Sequence, residues 1–365
     1  SVCSHQLCWK FLYLPVVDLL LNWKDSKSGR LFAVSLEENR LMKVFISRKI
    51  PEAGLQYLRD AAIEISVWTE KRDLLPEELI AHCKKADAFL SAGGNKIDKT
   101  FLNAVRHLKV ISLHSAGYDN VDVAAATAIK MPIGNTPGVL SDATADIAFL
   151  LMLATSRKAF YMSGTIQRGG WGFFEPTANL GIDIRGKTLG IYGLGKIGFE
   201  LARRAAAAFG MKIIYNNRSH NEEAENELHA QWVSFDDLLE KSDVLSVNTA
   251  LTAETKGKFD KNVFAKMKPT SIFINAARGS IHNETDLTEA LKKGIIWGAG
   301  LDVTNPEPMR PDHPLLSMPN VCILPHIGSA TEETRAAMSL LAAKNIVAGL
   351  KGERLPFIVN PAIYA

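Results

Sequence analysis

The sequence predicts an α/β protein built from two doubly wound units of parallel sheet, and three observations predict it. The chain has 365 residues, enough for about two domains that each bury a sizeable core. From Met42 onward, apolar β-rich runs alternate with helical patterns, which is how parallel sheets with crossover helices read. A glycine-rich turn, Gly193-Leu-Gly195-Lys-Ile-Gly198, stands between an apolar run and an Ala-rich helical pattern at the start of the second series.

Composition removes several classes. Lys and Arg number 42 against 39 Asp and Glu, a net charge of +3, so bulk charge argues for neither a nucleic-acid nor a membrane-surface partner. With 47% hydrophobic and 22% charged residues the chain is not mainly disordered. Four cysteines without a C-x-x-C pair make neither a disulfide framework nor a structural zinc site, and no His/Cys/acid spacing points to a metal. A reduced, cytoplasmic setting is the default expectation. No apolar run reaches the ~18–20 residues of a membrane span. Leu7–Leu21 is broken by Lys10, Pro15 and Asp18, and Ile147–Ala154 is short and follows Asp146.

Residues 1–41 show no sustained period. Lys10 interrupts the apolar stretch a signal peptide needs, and Asp18, Asp25, Glu37 and Glu38 are too acidic for a transit peptide. The expectation is a non-native or disordered leader with Met42 as the native start; a genuine N-terminal extension is the rival.

In the first unit, strands are expected at 43–46, 63–68, 88–91, 110–114 and 132–134, with helices at 76–85 and 121–129 between them. One long helix is predicted from about Ser141 to Gln167, where Asp142 and Asp146 suit the dipole at its start and Gly169-Gly170 its end. The second unit is expected to hold six strands, at 188–192, 212–216, 244–248, 271–275, 298–303 and 321–324. A final helix over 332–350 opens on a possible capping box, Ser329-Ala-Thr-Glu332. Long helices on both sides of the second unit predict that it is inserted into the first, giving 42–140 plus 327–365 as one domain and 141–326 as the other.

Two glycine motifs compete. In Gly193–Gly198, the first glycine permits the turn, Gly195 lets backbone approach a pyrophosphate, and Gly198 lets helix pack on strand. The helix N-terminus at Lys196 and Ile197 would face the phosphates. The duller reading is a glycine turn without a ligand. Gly181-Ile-Asp-Ile-Arg-Gly186-Lys187-Thr188 fits the phosphate loop of ATPases, but that loop needs a strand before it and a helix after it. Here a strand follows, so the match is expected to be spurious. An NAD site usually places an acid ~20 residues past the glycines. This chain has Asn216-Asn217-Arg218-Ser219 instead, with no carboxylate to repel a 2′-phosphate and a guanidinium to pair with one. NADP(H) is therefore preferred, with NAD(H) possible. A merely solvated Arg218 is the alternative.

Ligands in such sheets bind beyond the carboxyl ends of the strands. Arg278, Glu307 and His326 each follow an expected strand end. A guanidinium can grip a carboxylate or carbonyl through paired hydrogen bonds. A protonated imidazole can give a proton to a carbonyl oxygen, and a neighbouring carboxylate keeps it charged. Singly, each residue is more often a surface group. Together, downstream of a dinucleotide turn, they predict reduction of a 2-oxo acid. His114 is expected to line the cleft, and His282 and His313 to be exposed in polar loops.

At these motifs the chain resembles the D-2-hydroxyacid dehydrogenase family. The resemblance covers nearly everything from Met42 to Tyr364, including Gly193–Gly198, Asn275–Gly279, Gly300–Val303 with Glu307-Pro308, and Pro325-His-Ile-Gly-Ser-Ala330. Within the family it looks most like glyoxylate/hydroxypyruvate reductases, including the branch that also reduces 2-ketogluconate. Asn216–His220 and the closing Val359-Asn-Pro361 support that placement.

The resemblance implies a Rossmann coenzyme domain inserted into a flavodoxin-like substrate domain, a homodimer, and D-stereochemistry. It implies Arg278, Glu307 and His326 as catalytic residues, with the amides of Ala116 and Gly117 on the substrate carboxylate. Leu194, Asn217, Ser219, Ala250, Ala276 and Asp302 join the turn and Arg218 as cofactor contacts. Two departures stand out: Asp146 for the commoner Glu, and Ile281-His-Asn for Val-Val-Asp. A dinucleotide-sensing binding protein is the rival function, since co-repressors resemble this family too. Side chains near Asn95, Phe173, Phe174 and Met309 are expected to set pocket size.

Overall fold

A computed structural model describes residues 40–365. The leader expected over 1–41 lies outside the described residues except at its last two positions. In chain order the elements are β1 (Lys43–Ile46), α1 (Glu52–Asp60), β2 (Glu64–Val67), α2 (Pro76–Cys83), β3 (Ala88–Ser91), α3 (Lys99–Ala104), β4 (Val110–Leu113), α4 (Val123–Ala128) and β5 (Ile133–Gly134). Next come α5 (Ser141–Ser156), α6 (Ala159–Gln167), β6 (Thr188–Tyr192), α7 (Lys196–Phe209), β7 (Lys212–Asn216), α8 (Glu222–Leu228), β8 (Gln231–Trp232), α9 (Phe235–Lys241) and β9 (Val244–Val247). The chain continues through α10 (Lys261–Phe264), β10 (Ile272–Asn275), α11 (Glu284–Lys292), β11 (Gly298–Leu301), β12 (Val321–Ile323) and α12 (Glu332–Leu350).

Two sheets form. The five-stranded one has the order β2-β1-β3-β4-β5, which is the flavodoxin-like arrangement. The seven-stranded one runs β12-β11-β10-β9-β6-β7-β8, the doubly wound dinucleotide order with one strand added at an edge. The strand pairs in both are parallel. Parallel strands are covered on both faces, and β1, β3, β4, β9, β10 and β11 accordingly read as near-continuous apolar text. Phe45, Phe89 and Phe273 are fully buried among them. Each such side chain contributes about 1.5–3 kcal/mol by leaving water.

α5 packs on α7, β10 and β11 of the larger sheet, whereas α12 packs on α1, β3 and β4 of the smaller. The chain end also returns to the smaller sheet: Val359 donates to the Ile133 carbonyl at 2.7 Å, and Asn360 accepts from the Ile133 amide at 3.0 Å.

Four local expectations are corrected. The helix expected over 141–167 is two helices, because the Ser156 carbonyl accepts the Ile182 amide at 2.9 Å and Lys158 turns left-handed at φ 56°. The larger sheet has a seventh strand, β8, whose two exposed residues are too short a run to show a period. α12 is capped by Thr331, whose hydroxyl accepts from Thr334 N–H, and not by a box on Ser329. Only Asp142 of the two expected acids stands in the first turn of α5; both reach Arg204 on α7, at 2.8 and 2.7 Å, so they tie two helices together.

Candidate active site

The dinucleotide turn is built as its spacing requires. Gly193 has φ +96°, and a Cβ there would stand 2.8 Å from the Thr249 backbone. A Cβ on Gly198 would stand 2.9 Å from the Gly193 carbonyl, so helix and strand approach as only glycine allows. A Cβ on Gly195, by contrast, would meet nothing within 4 Å. That open face lies at the N-cap of α7, which has no side-chain cap. The first-turn amides of Lys196, Ile197 and Gly198 lack intrahelical partners there. An anion of pyrophosphate type fits this cradle. By contrast, the Gly181–Thr188 stretch runs into β6 with no helix after it, as expected of a spurious phosphate loop.

Asn217 does not stand free. Its side chain accepts from Leu194 N–H at 2.6 Å and donates to the Leu194 carbonyl at 3.1 Å, clamping the glycine turn to the end of β7. Arg218 and Ser219 beyond it are exposed. The charge of Arg218 helps hold the Glu254 carboxyl below its usual range, behind the larger effect of the Thr252 hydrogen bond. Ala250 and Ala276 follow the ends of β9 and β10, on the same edge as the turn.

His326 lies just past β12 in a left-handed conformation, φ 54°. Its Nδ1 meets Glu307 Oε1 at 2.5 Å. That bond raises the imidazole pKa above its ordinary value, against the opposing effect of burial. Burial pushes the Glu307 carboxyl up, but the bond and the imidazole charge prevail and the net shift is downward. Arg278 is close enough for its charge to act on both groups. The three candidates therefore converge.

Asp302 supports this loop. Its carbonyl accepts His326 N–H at 2.9 Å, and its carboxylate oxygens take Ile327 N–H at 2.8 Å and Gly328 N–H at 2.7 Å. Burial raises its pKa, and the two amide bonds oppose that rise.

The facing wall comes from the smaller sheet. Past β4, Ala116 and Gly117 have backbone amides without a hydrogen-bond partner among the described residues. Asn135 holds the Ala116 carbonyl at 2.8 Å, which fixes the loop. A Cβ on Gly117 would stand 1.9 Å from Arg278 Nη2, so the guanidinium lies directly against this loop. Arg278 Nε donates to Asp119 Oδ1 at 2.9 Å. Sequence reasoning missed Asp119; its place two residues past Gly117, at the same strand end, was the available signal.

The other residues named from the sequence lie in varied surroundings. His114 is partly buried, and burial lowers its pKa. His282 is 1% exposed, not a surface group, because its loop tucks behind β10 against Phe273. His313 is half-buried beside Glu284. Asn95 bonds Ser47 at 2.8 Å beyond β1. Phe173 and Phe174 are largely exposed, and Met309 packs on the larger sheet's core. Among the described residues no group of His, Cys, Asp and Glu could hold a metal ion, and no helix is long and apolar enough to cross a membrane.

The chain is similar to known proteins over most of its described length. Residues 149–328 match the family described as D-isomer specific 2-hydroxyacid dehydrogenase, NAD binding domain. The glyoxylate reductase of Thermococcus litoralis is 42% identical over 322 residues, covering 87% of this chain and 96% of that protein. The glyoxylate reductase of Thermococcus kodakarensis is 42% identical over 326 residues, covering 88% and 97%. Among solved structures, the NADPH-dependent glyoxylate/hydroxypyruvate reductase of Sinorhizobium meliloti, in complex with NADP and malonate, superposes with a TM-score of 0.77 at 32% identity, covering 88% of this chain and 98% of that one. With its two parallel sheets, its glycine turn and these relatives, the chain is an NAD(P)-dependent dehydrogenase and belongs to the D-2-hydroxyacid dehydrogenase family, in its glyoxylate reductase branch.

Proposed function

We propose that the protein is an NADPH-preferring reductase of small 2-oxo acids. Glyoxylate would give glycolate and hydroxypyruvate D-glycerate, with 2-ketogluconate as a further substrate. The observation that carries this reading is the His326–Glu307 pair at 2.5 Å with Arg278 beside it. The coenzyme unit is taken as 141–326, inserted into 42–140 plus 327–365.

When bound, the reduced nicotinamide supplies the hydride. Gly193 to Gly198 would hold its pyrophosphate, Arg218 and Ser219 its 2′-phosphate, and Ala250, Ala276 and Asp302 would lie against the remainder. Glu307 binds Nδ1 of His326, so Nε2 is the atom that holds a proton for the carbonyl oxygen. Arg278 and the free amides of Ala116 and Gly117 form one anion-binding wall, suited to the substrate carboxylate. Preference for NADPH rests on the exposed Arg218 and the absence of a carboxylate at 216–219. Trp171, Phe173 and Phe174 are 73, 79 and 83% exposed, an apolar group that a homodimer would cover. The setting is taken as cytoplasmic; Cys83 and Cys322 are buried free thiols among the described residues.

The test is a panel of glyoxylate, hydroxypyruvate, pyruvate and 2-ketogluconate, each with NADPH and NADH, beside His326→Ala. Turnover with NADPH should fall about 10²–10⁴-fold in that variant. Dinucleotide binding without turnover of any 2-oxo acid would overturn the reductase reading in favour of a sensing protein.

A further inference from the structure

Behind the cleft lies a chain of buried polar groups that takes no direct part in the chemistry above. It begins at Asn275, at the end of β10. Asn275 Oδ1 accepts the Ala277 amide at 3.0 Å, which fixes the orientation of the side-chain amide. Its Nδ2 then donates to the Arg278 carbonyl at 2.9 Å and to His282 Nδ1 at 3.0 Å. With Nδ1 accepting, the His282 ring proton is on Nε2. Nε2 makes no hydrogen bond among the described residues and lies 3.8 Å from Glu284 Oε2.

Glu284 is 7% exposed, an unusual place for a carboxylate. His313 Nε2 lies 3.4 Å from its other oxygen. Its Oε2 accepts the Asn305 amide at 2.7 Å, two residues before Glu307. The two loops so joined also touch directly. A Cβ on Gly279, next to Arg278, would fall 1.9 Å from the Thr304 carbonyl. A buried carboxylate persists only when its oxygens are well partnered, and here the closest partner is the backbone of the loop that presents Glu307.

We propose that Glu284 is a positioning residue, which, with Asn275 and His282, couples the turn bearing Arg278 to the loop bearing Glu307. The proposal rests on the reductase reading for its effect on turnover. The coupling itself can be read without substrate.

The experiment compares the protein with its Glu284→Gln and Glu284→Ala variants. Two quantities are read: kcat and KM for glyoxylate with NADPH, and the titration of His326 followed by NMR in the substrate-free protein. The glutamine keeps an oxygen for Asn305 N–H but loses its charge, and should lower kcat about threefold. Alanine removes the clasp and should lower kcat about tenfold or more, since displacing a reacting group by about 1 Å can cost 10²-fold. The His326 titration should move to lower pH in the same order, with KM for NADPH unchanged. If kcat and the titration stay within about twofold of the parent while only thermal stability falls, Glu284 is merely structural and the proposal is overturned. Should the alanine variant fail to fold, the isosteric glutamine decides by the same two readings. An inert parent protein whose His326 titration still moves in the variants would sink the reductase reading and leave the coupling standing.

Discussion

Arg278, on a loop of the seven-stranded sheet, donates its Nε to Asp119, on a loop of the five-stranded sheet, at 2.9 Å. The bond crosses the cleft and leaves Nη2 against Gly117, where the free amides lie. Asp119 therefore aims the guanidinium. Asp119→Ala should raise KM for glyoxylate about tenfold, about 1.4 kcal/mol of lost orientation, with KM for NADPH unchanged. Steady-state kinetics with each substrate varied in turn check this; an unchanged KM for glyoxylate counts against an aiming role.

The His326–Glu307 pair sets a pH dependence whose sign follows from the imidazole shift. The bond raises the His326 pKa, so the proton that the proposed mechanism draws on is held to higher pH and is lost as pH rises through the raised value. In Glu307→Gln the fall in reduction rate should move to lower pH, with kcat at neutral pH down about 10²-fold. Oxidation of the hydroxy acid needs the unprotonated ring, so its rise with pH should move to lower pH by the same amount. pH profiles of kcat in both directions provide the check.

Arg218 is exposed, and its charge reaches Glu254. Arg218→Ala should raise KM for NADPH by at least about tenfold while leaving KM for NADH within about twofold, because only the phosphorylated ribose offers the guanidinium an anion. Equal effects on the two cofactors would remove the basis for the preference.

Two glycines of the dinucleotide turn separate stability from binding. Gly193→Ala places a side chain at φ +96° and 2.8 Å from the Thr249 backbone, and should destabilise the fold by about 1–3 kcal/mol in denaturant unfolding. Gly195→Ala meets nothing in the protein. It should leave unfolding within about 0.5 kcal/mol of the parent. Its methyl group would occupy the face offered to the pyrophosphate, so calorimetric affinity for NADPH should fall about tenfold or more.

Much of this protein is legible in its sequence. Strands buried on both faces in a parallel sheet need unbroken apolar text, so β3, β6 and β7 stand at their expected bounds. The glycine turn and the positions of Arg278, Glu307 and His326 just past strand ends are likewise matters of local order along the chain. What lay beyond reach depends on partners distant in sequence. The break at Lys158 arises because Ile182 takes the Ser156 carbonyl, and no residue near 156 announces that bond. β8 is two residues long and exists only by pairing with β7. His282 reads as a polar loop residue, yet packing against Phe273 buries it and brings it to Asn275 and Glu284. Periodicity and turn geometry are local, so the two-sheet α/β plan and the candidate side chains can be read along the chain. The meeting of Asp119 with Arg278 across the cleft, and the clasp of Glu284 on the loop before Glu307, arise on folding. Those contacts span 159 and 21 residues, and are set by how the sheets and loops pack, not by any neighbour in the chain.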